Sequence, residues 1–123
     1  MASVLVIDDD PATVETYSRM LQLEGHRVYT AASADAGLVE AEQHTPDAVL
    51  LDLRMPLVDG LEFLRQLRAR AAMQSTPVMI ITGDYFIDDR TTSALNQLGA
   101  RVAFKPLWFD GLVQIVNELL GRG

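Results

Sequence analysis

The chain contains no cysteine. Disulfides, thiolate zinc sites and a cysteine nucleophile are therefore excluded, and a reducing compartment suits the composition. Cationic charge is scarce: 10 Lys and Arg stand against 17 Asp and Glu, a net charge of −7. Such a surface repels nucleic-acid phosphate, so direct nucleic-acid binding is not expected. Long apolar runs are missing too. The longest span four or five residues, far from the roughly 20 that a membrane helix needs. The N-terminus enters an apolar run at once, with no basic region and no cleavage site. No secretory signal is expected, and the reading places the protein in the cytoplasm. Repeats, low-complexity tracts and linkers are absent as well. What remains is 123 residues, 49% of them hydrophobic, enough for one domain, residues 1–123, with a core of its own.

Short apolar runs alternate with longer amphipathic stretches. The runs are Val4–Ile7, Arg27–Thr30, Ala48–Leu51, Val78–Ile81 and Arg101–Phe104. Three of them are continuously apolar and rich in β-branched residues, the mark of strands covered on both faces of a parallel sheet. Helical patterns lie between them. Pro11–Glu24 carries Val14, Tyr17, Met20 and Leu21 on one stripe, with Gly25 placed to end it. Ala34–His44, Leu61–Ala72, Asp88–Leu98 (followed by Gly99) and Phe109–Leu120 complete the set. Five βα units with right-handed crossovers give an α/β, doubly wound, five-stranded parallel sheet. A flavodoxin-like (βα)5 arrangement with strand order 2-1-3-4-5 is the natural expectation at this length.

In open sheets of this kind, ligands bind beyond the carboxyl ends of the strands. After the first run come Asp8, Asp9 and Asp10, after the third Asp52, after the fourth Thr82, and after the fifth Lys105. Four of five strands thus end in groups able to do chemistry, on one rim. Asp10 followed by Pro11 reads as a helix N-cap. That role leaves Asp8 and Asp9 unexplained. Adjacent carboxylates repel, and a third at Asp52 raises the cost of ionising them all. A hard divalent cation with oxygen ligands removes that cost, and magnesium suits an open acidic pocket. For a lone strand-end Asp, loop capping is the ordinary reading; here the neighbours argue for chemistry at Asp52. Thr82 serves equally well as a cap, and Lys105 as a surface lysine. Yet Lys105 lies directly between the apolar Val102-Ala103-Phe104 and Pro106. From there it would reach a phosphoryl oxygen as a compact charge, and a cis bond to Pro106 would aim it.

At these residues the chain resembles the receiver domain of bacterial two-component response regulators, the fold of the chemotaxis response regulator. The matching stretches are Val6-Ile7-Asp8-Asp9-Asp10-Pro11, Leu51-Asp52-Leu53-Arg54-Met55-Pro56 with Asp59-Gly60, Ile81-Thr82-Gly83 and Lys105-Pro106. Each is weak alone; together, in order and at strand ends, they are specific across essentially the whole chain. The resemblance implies roles. Asp52 accepts the phosphoryl group. Asp8, Asp9, Asp52 and the backbone carbonyl of Arg54 hold magnesium, with manganese as a substitute. Thr82 hydrogen-bonds the phosphoryl group and Lys105 pairs with it. The donor is a sensor histidine kinase or a histidine phosphotransfer protein. The face built from the fourth helix, fifth strand and fifth helix is where such domains commonly dimerise. The protein is then a switch that catalyses its own phosphorylation and dephosphorylation, not a metabolic enzyme.

The pattern is altered at one place. The family usually carries an aromatic three positions before the lysine, where this chain has Val102. Two aromatics, Tyr85 and Phe86, follow Thr82 instead. Either they or Phe104 take over the switching role, or Phe86 and Ile87 anchor the loop into the core. Trp108 is a candidate interface anchor, and an Arg54–Asp84 ion pair would shield the phosphoryl group from water. Three other readings compete. A flavodoxin-type cofactor binder would want a Ser/Thr/Gly phosphate loop where this chain has three aspartates. An aspartate-nucleophile phosphatase would want an Asp at position 54. The alternative that stays open is a pseudo-receiver, an interaction module without productive phosphorylation.

Overall fold

The computed structural model describes residues 2–53, 60–83 and 86–121. The strands are β1 (Ser3–Ile7), β2 (Arg27–Ala31), β3 (Ala48–Leu51), β4 (Val78–Thr82) and β5 (Ala100–Phe104). The helices are α1 (Pro11–Leu23), α2 (Ala34–His44), α3 (Gly60–Arg68), α4 (Asp89–Gln97) and α5 (Phe109–Leu119). All strand pairings are parallel, in the order β2-β1-β3-β4-β5. This is the expected flavodoxin-like (βα)5 arrangement: the alternation predicts its class, and the inferred strand order is the one observed.

Successive strand residues point to opposite faces, and both faces are covered. Leu5, Ile7, Val49, Leu51 and Ile80 pack with Leu38 and Ala41 of α2, Phe63, Leu64 and Leu67 of α3, and Leu95 of α4. Val4, Val6, Leu50, Met79 and Ile81 pack with Tyr17 and Leu21 of α1 and with Leu112 and Val116 of α5. β1, β3 and β4 therefore need apolar residues at nearly every position. Fully burying one such side chain contributes about 1.5–3 kcal/mol. Edge strands β2 and β5 are less buried and accordingly more polar.

The helix boundaries follow local chemistry. Asp10 caps α1, accepting from Ala12 N at 3.2 Å and from Thr13 Oγ1 at 2.7 Å, with Pro11 in the first turn. The exposed Asp10 carboxyl is held below the usual range, first by the Thr13 hydrogen bond and then by that of Ala12. Gly25 and Gly99, at φ +86° and +82°, follow α1 and α4 in the left-handed conformation that glycine adopts without strain. Helix α3 is shorter than the sequence pattern predicts. It stops at Arg68, and Ala71–Met73 form a separate 3-10 turn that buries Met73. Burying Met73 turns the chain out of the helix, and the Arg68 guanidinium ties the turn down: Nε donates to Leu98 O at 2.7 Å and a terminal nitrogen donates to Met73 O at 2.8 Å. No helix among the described residues is long and apolar enough to cross a membrane.

Candidate functional site

The parallel sheet delivers three strand ends to one place. Asp8 follows β1 directly, and its N–H donates to Ala31 O of β2 at 3.1 Å. Asp52 follows β3, and its N–H donates to Ile7 O of β1 at 2.9 Å. Sheet hydrogen bonding thus continues through both aspartates and fixes their backbones side by side. Carboxylate oxygens of Asp8, Asp9 and Asp52 all lie within 4.8 Å of one another. Asp8 is 4% exposed and Asp52 9%, while Asp9 faces solvent.

Lys105 closes the cluster from the opposite side. Its Nζ donates to Asp8 Oδ2 at 3.0 Å and stands 3.8 Å from Asp52 Oδ2. The other Asp8 oxygen accepts Asp10 N–H at 2.9 Å. Burial works against the Lys105 ammonium, but the Asp8 hydrogen bond and the charges of Asp52 and Asp8 outweigh it. Its pKa ends above the ordinary lysine value. Thr82 is the last residue of β4, 1% exposed, and its carbonyl accepts Lys105 N–H at 2.8 Å. The Lys105–Pro106 peptide is cis, as the sequence reading anticipates.

Among the described residues, three crowded carboxylates beside the Lys105 ammonium form a hard-oxygen donor set of the kind that magnesium or manganese takes. The residues present fit such an ion: the carboxylates converge, and one of them keeps an open face to water. Arg54, whose carbonyl is the fourth expected ligand, lies outside the described residues. So do Asp84, Tyr85 and the Met55, Pro56 and Asp59 positions of the motif.

One neighbour of the cluster escapes a sequence reading. Tyr17 reads as part of the apolar stripe of α1, yet it joins Asp8 and Asp52 in lining a small void beneath the carboxylates. Burial raises its phenol pKa, and the charges of Lys105, Asp8 and Asp52 act on it. Its hydroxyl on an otherwise apolar stripe is the only sequence signal. In the altered switch region, Val102 lies opposite Ile80 in the β4–β5 register and packs against the core. Phe86 is 92% exposed and does not pack into the core, a correction to that reading, whereas Ile87 does pack against it. Phe104 and Trp108 are 43% and 75% exposed.

Residues 4–117 match the sequence profile of the response regulator receiver domain. This chain belongs to that family. It is 33% identical to Protein PilH of Pseudomonas aeruginosa over 123 residues, covering 98% of each. It is 40% identical to the cell cycle transcriptional regulator CtrA of Caulobacter vibrioides over 119 residues, covering 97% of this chain and 50% of that protein. The receiver domain thus spans nearly all of PilH and about half the length of CtrA. The crystal structure of chemotaxis protein CheY4 of Vibrio cholerae superposes with a TM-score of 0.90 at 27% identity, over 98% of this chain and 99% of that one.

Proposed function

We propose that this receiver domain accepts a phosphoryl group on Asp52 in a magnesium-dependent reaction and thereby switches its association with partners. The observation that carries the reading is the convergence of Asp8, Asp9 and Asp52 within 4.8 Å, with Lys105 placed between two of them. Asp8, Asp9 and Asp52, with the carbonyl of Arg54, would hold the ion. When bound, magnesium offsets the charge of the carboxylates and of the incoming phosphoryl oxygens.

The rest falls to side chains of this chain. Phosphoryl transfer asks a protein mainly for positioning and charge stabilisation. A carboxylate oxygen of Asp52 attacks phosphorus in line as the phosphorus–nitrogen bond of a phosphohistidine breaks, and the bond's electron pair leaves with the imidazole. Lys105 then turns from Asp8 and Asp52 to a phosphoryl oxygen, and the Thr82 hydroxyl donates to another. The donor would be a sensor histidine kinase or a histidine phosphotransfer protein, met in the cytoplasm. Nucleic acid is not a partner of this acidic domain. A homodimer through the face of α4, β5 and α5 belongs to the same reading. The chain is a switch that turns over its own phosphoryl group rather than a metabolic enzyme.

The test is intact-protein mass after incubation with magnesium and acetyl phosphate, beside an Asp52→Asn variant. One added phosphoryl group, dependent on magnesium and absent from the variant, is expected. No adduct from acetyl phosphate or from phosphohistidine donors would overturn the phosphoacceptor reading.

A further inference from the structure

We infer that the groove between α1 and α5 is a docking site for a basic, amphipathic helical segment of a partner protein. The groove encloses about 510 Å3 and shares no residue with the carboxylate cluster. On one side stands Glu24, the cap of α1; on the other runs α5, contributing Phe109, Asp110, Val113, Asn117 and Glu118. Phe109 and Val113 are four apart and so lie on one helix face. They form an apolar strip, with Phe109 37% exposed. These two residues give one apolar turn, and the lined face of α5 continues through the polar Gln114, Asn117 and Glu118 for roughly 14 Å in all, about two and a half turns of a docked helix.

Carboxylates mark both ends of the lined face. Asp110 lies in the first turn of α5 and Glu118 in its last, with Glu24 across the groove. Among the described residues, no lysine or arginine lines it. Arg101 stands 3.8 Å from Glu118, but among the described residues neither Glu24 nor Asp110 has an ion-pair partner. An acidic or phosphate-bearing occupant would be repelled, doubly so by a chain of net charge −7. An apolar turn beside the unpaired carboxylates of Glu24 and Asp110 is complementary to a helix that carries an apolar stripe flanked by Lys or Arg.

The experiment is calorimetric titration of the whole chain with a Leu/Lys peptide of about 18 residues, its leucines at helical spacing. Saturable one-to-one binding is expected. The Glu24→Gln/Asp110→Asn double variant should weaken it by about tenfold. A control that removes the same charge elsewhere, Asp35→Asn/Asp89→Asn, should stay within about twofold of the native chain. A Leu/Glu peptide should not bind. Equal affinity for all three proteins would reveal only general attraction to an acidic surface and overturn the assignment, as would no binding. A dimer seen in sedimentation equilibrium and abolished by Phe109→Ala would give the groove to a second copy and overturn it as well.

Discussion

Gly60 leaves no room for a side chain beside the proposed phosphoacceptor. A Cβ there would meet Leu53 Cα at 2.9 Å and Asp52 O at 3.1 Å, both backbone atoms, and Gly60 N–H already donates to Leu53 O at 2.8 Å. The backbone after Asp52 must therefore shift to accept even alanine. Gly60→Ala is expected to lower stability by about 1–3 kcal/mol, as overpacking does. It should also slow phosphoryl uptake, and denaturant midpoints and adduct mass together check both. Lys105 presents the opposite situation, a side chain that stands where a divalent ion would have influence. Removing it takes away the ammonium that stands 3.0 Å from Asp8 and 3.8 Å from Asp52. Lys105→Ala is expected to lose about 1 kcal/mol in the absence of metal. It should bind magnesium more tightly, by about fivefold, because a competing positive charge is gone. Thermal melts with and without magnesium separate the two effects.

At the scale of elements, α4 is the least anchored helix near the site. Leu95 is its one fully buried residue, and apart from Ala94 the rest of its sequence is polar. Its far end is held by the Arg68–Leu98 hydrogen bond. Arg68→Ala is expected to cost about 2 kcal/mol, since two charge-assisted bonds to carbonyls are lost. Amide exchange should quicken in α4 more than in α1 or α5. The same arginine shows where sequence reading reaches its limit. Strands announce themselves because burial on two faces demands unbroken apolar runs such as Val78–Ile81. The carboxylate cluster was legible because a parallel sheet brings every strand end to one rim. The early stop of α3 was not, because residues 69–72 favour helix locally, whereas the burial of Met73 and the tie from Arg68 to a carbonyl 30 positions away are tertiary. The exposure of Phe86 and the approach of Tyr17 to the aspartates are likewise tertiary facts. A hydrophobic residue next to a motif carries no sign of which way it faces.

For the molecule as a whole, the two raised pKa values act in one direction. The pairing of Lys105 is fully present below the ordinary lysine value near 10.4 and is lost as pH rises through its higher folded value. Tyr17, whose phenol burial raises, keeps its proton in the folded state after an unfolded tyrosine, at about 10, has released it. Stability therefore falls from about pH 10 upward and is flat below it on account of these groups. Urea midpoints across this range should show the decline, and Tyr17→Phe should make it shallower. A decline unchanged in Tyr17→Phe would assign the alkaline sensitivity elsewhere.

The 2.8 Å bond from Lys105 N–H to the Thr82 carbonyl has a further consequence. It makes the two residues opposite jaws of one vice, mounted on neighbouring strands and unable to slide past each other without breaking a rung of the sheet. On the proposed reading, Thr82 and Lys105 would reach a phosphoryl group by swinging side chains over a stationary base. Any change that a partner would sense on that reading would then have to leave by the two chain directions away from those jaws, toward α4 on one side and α5 on the other.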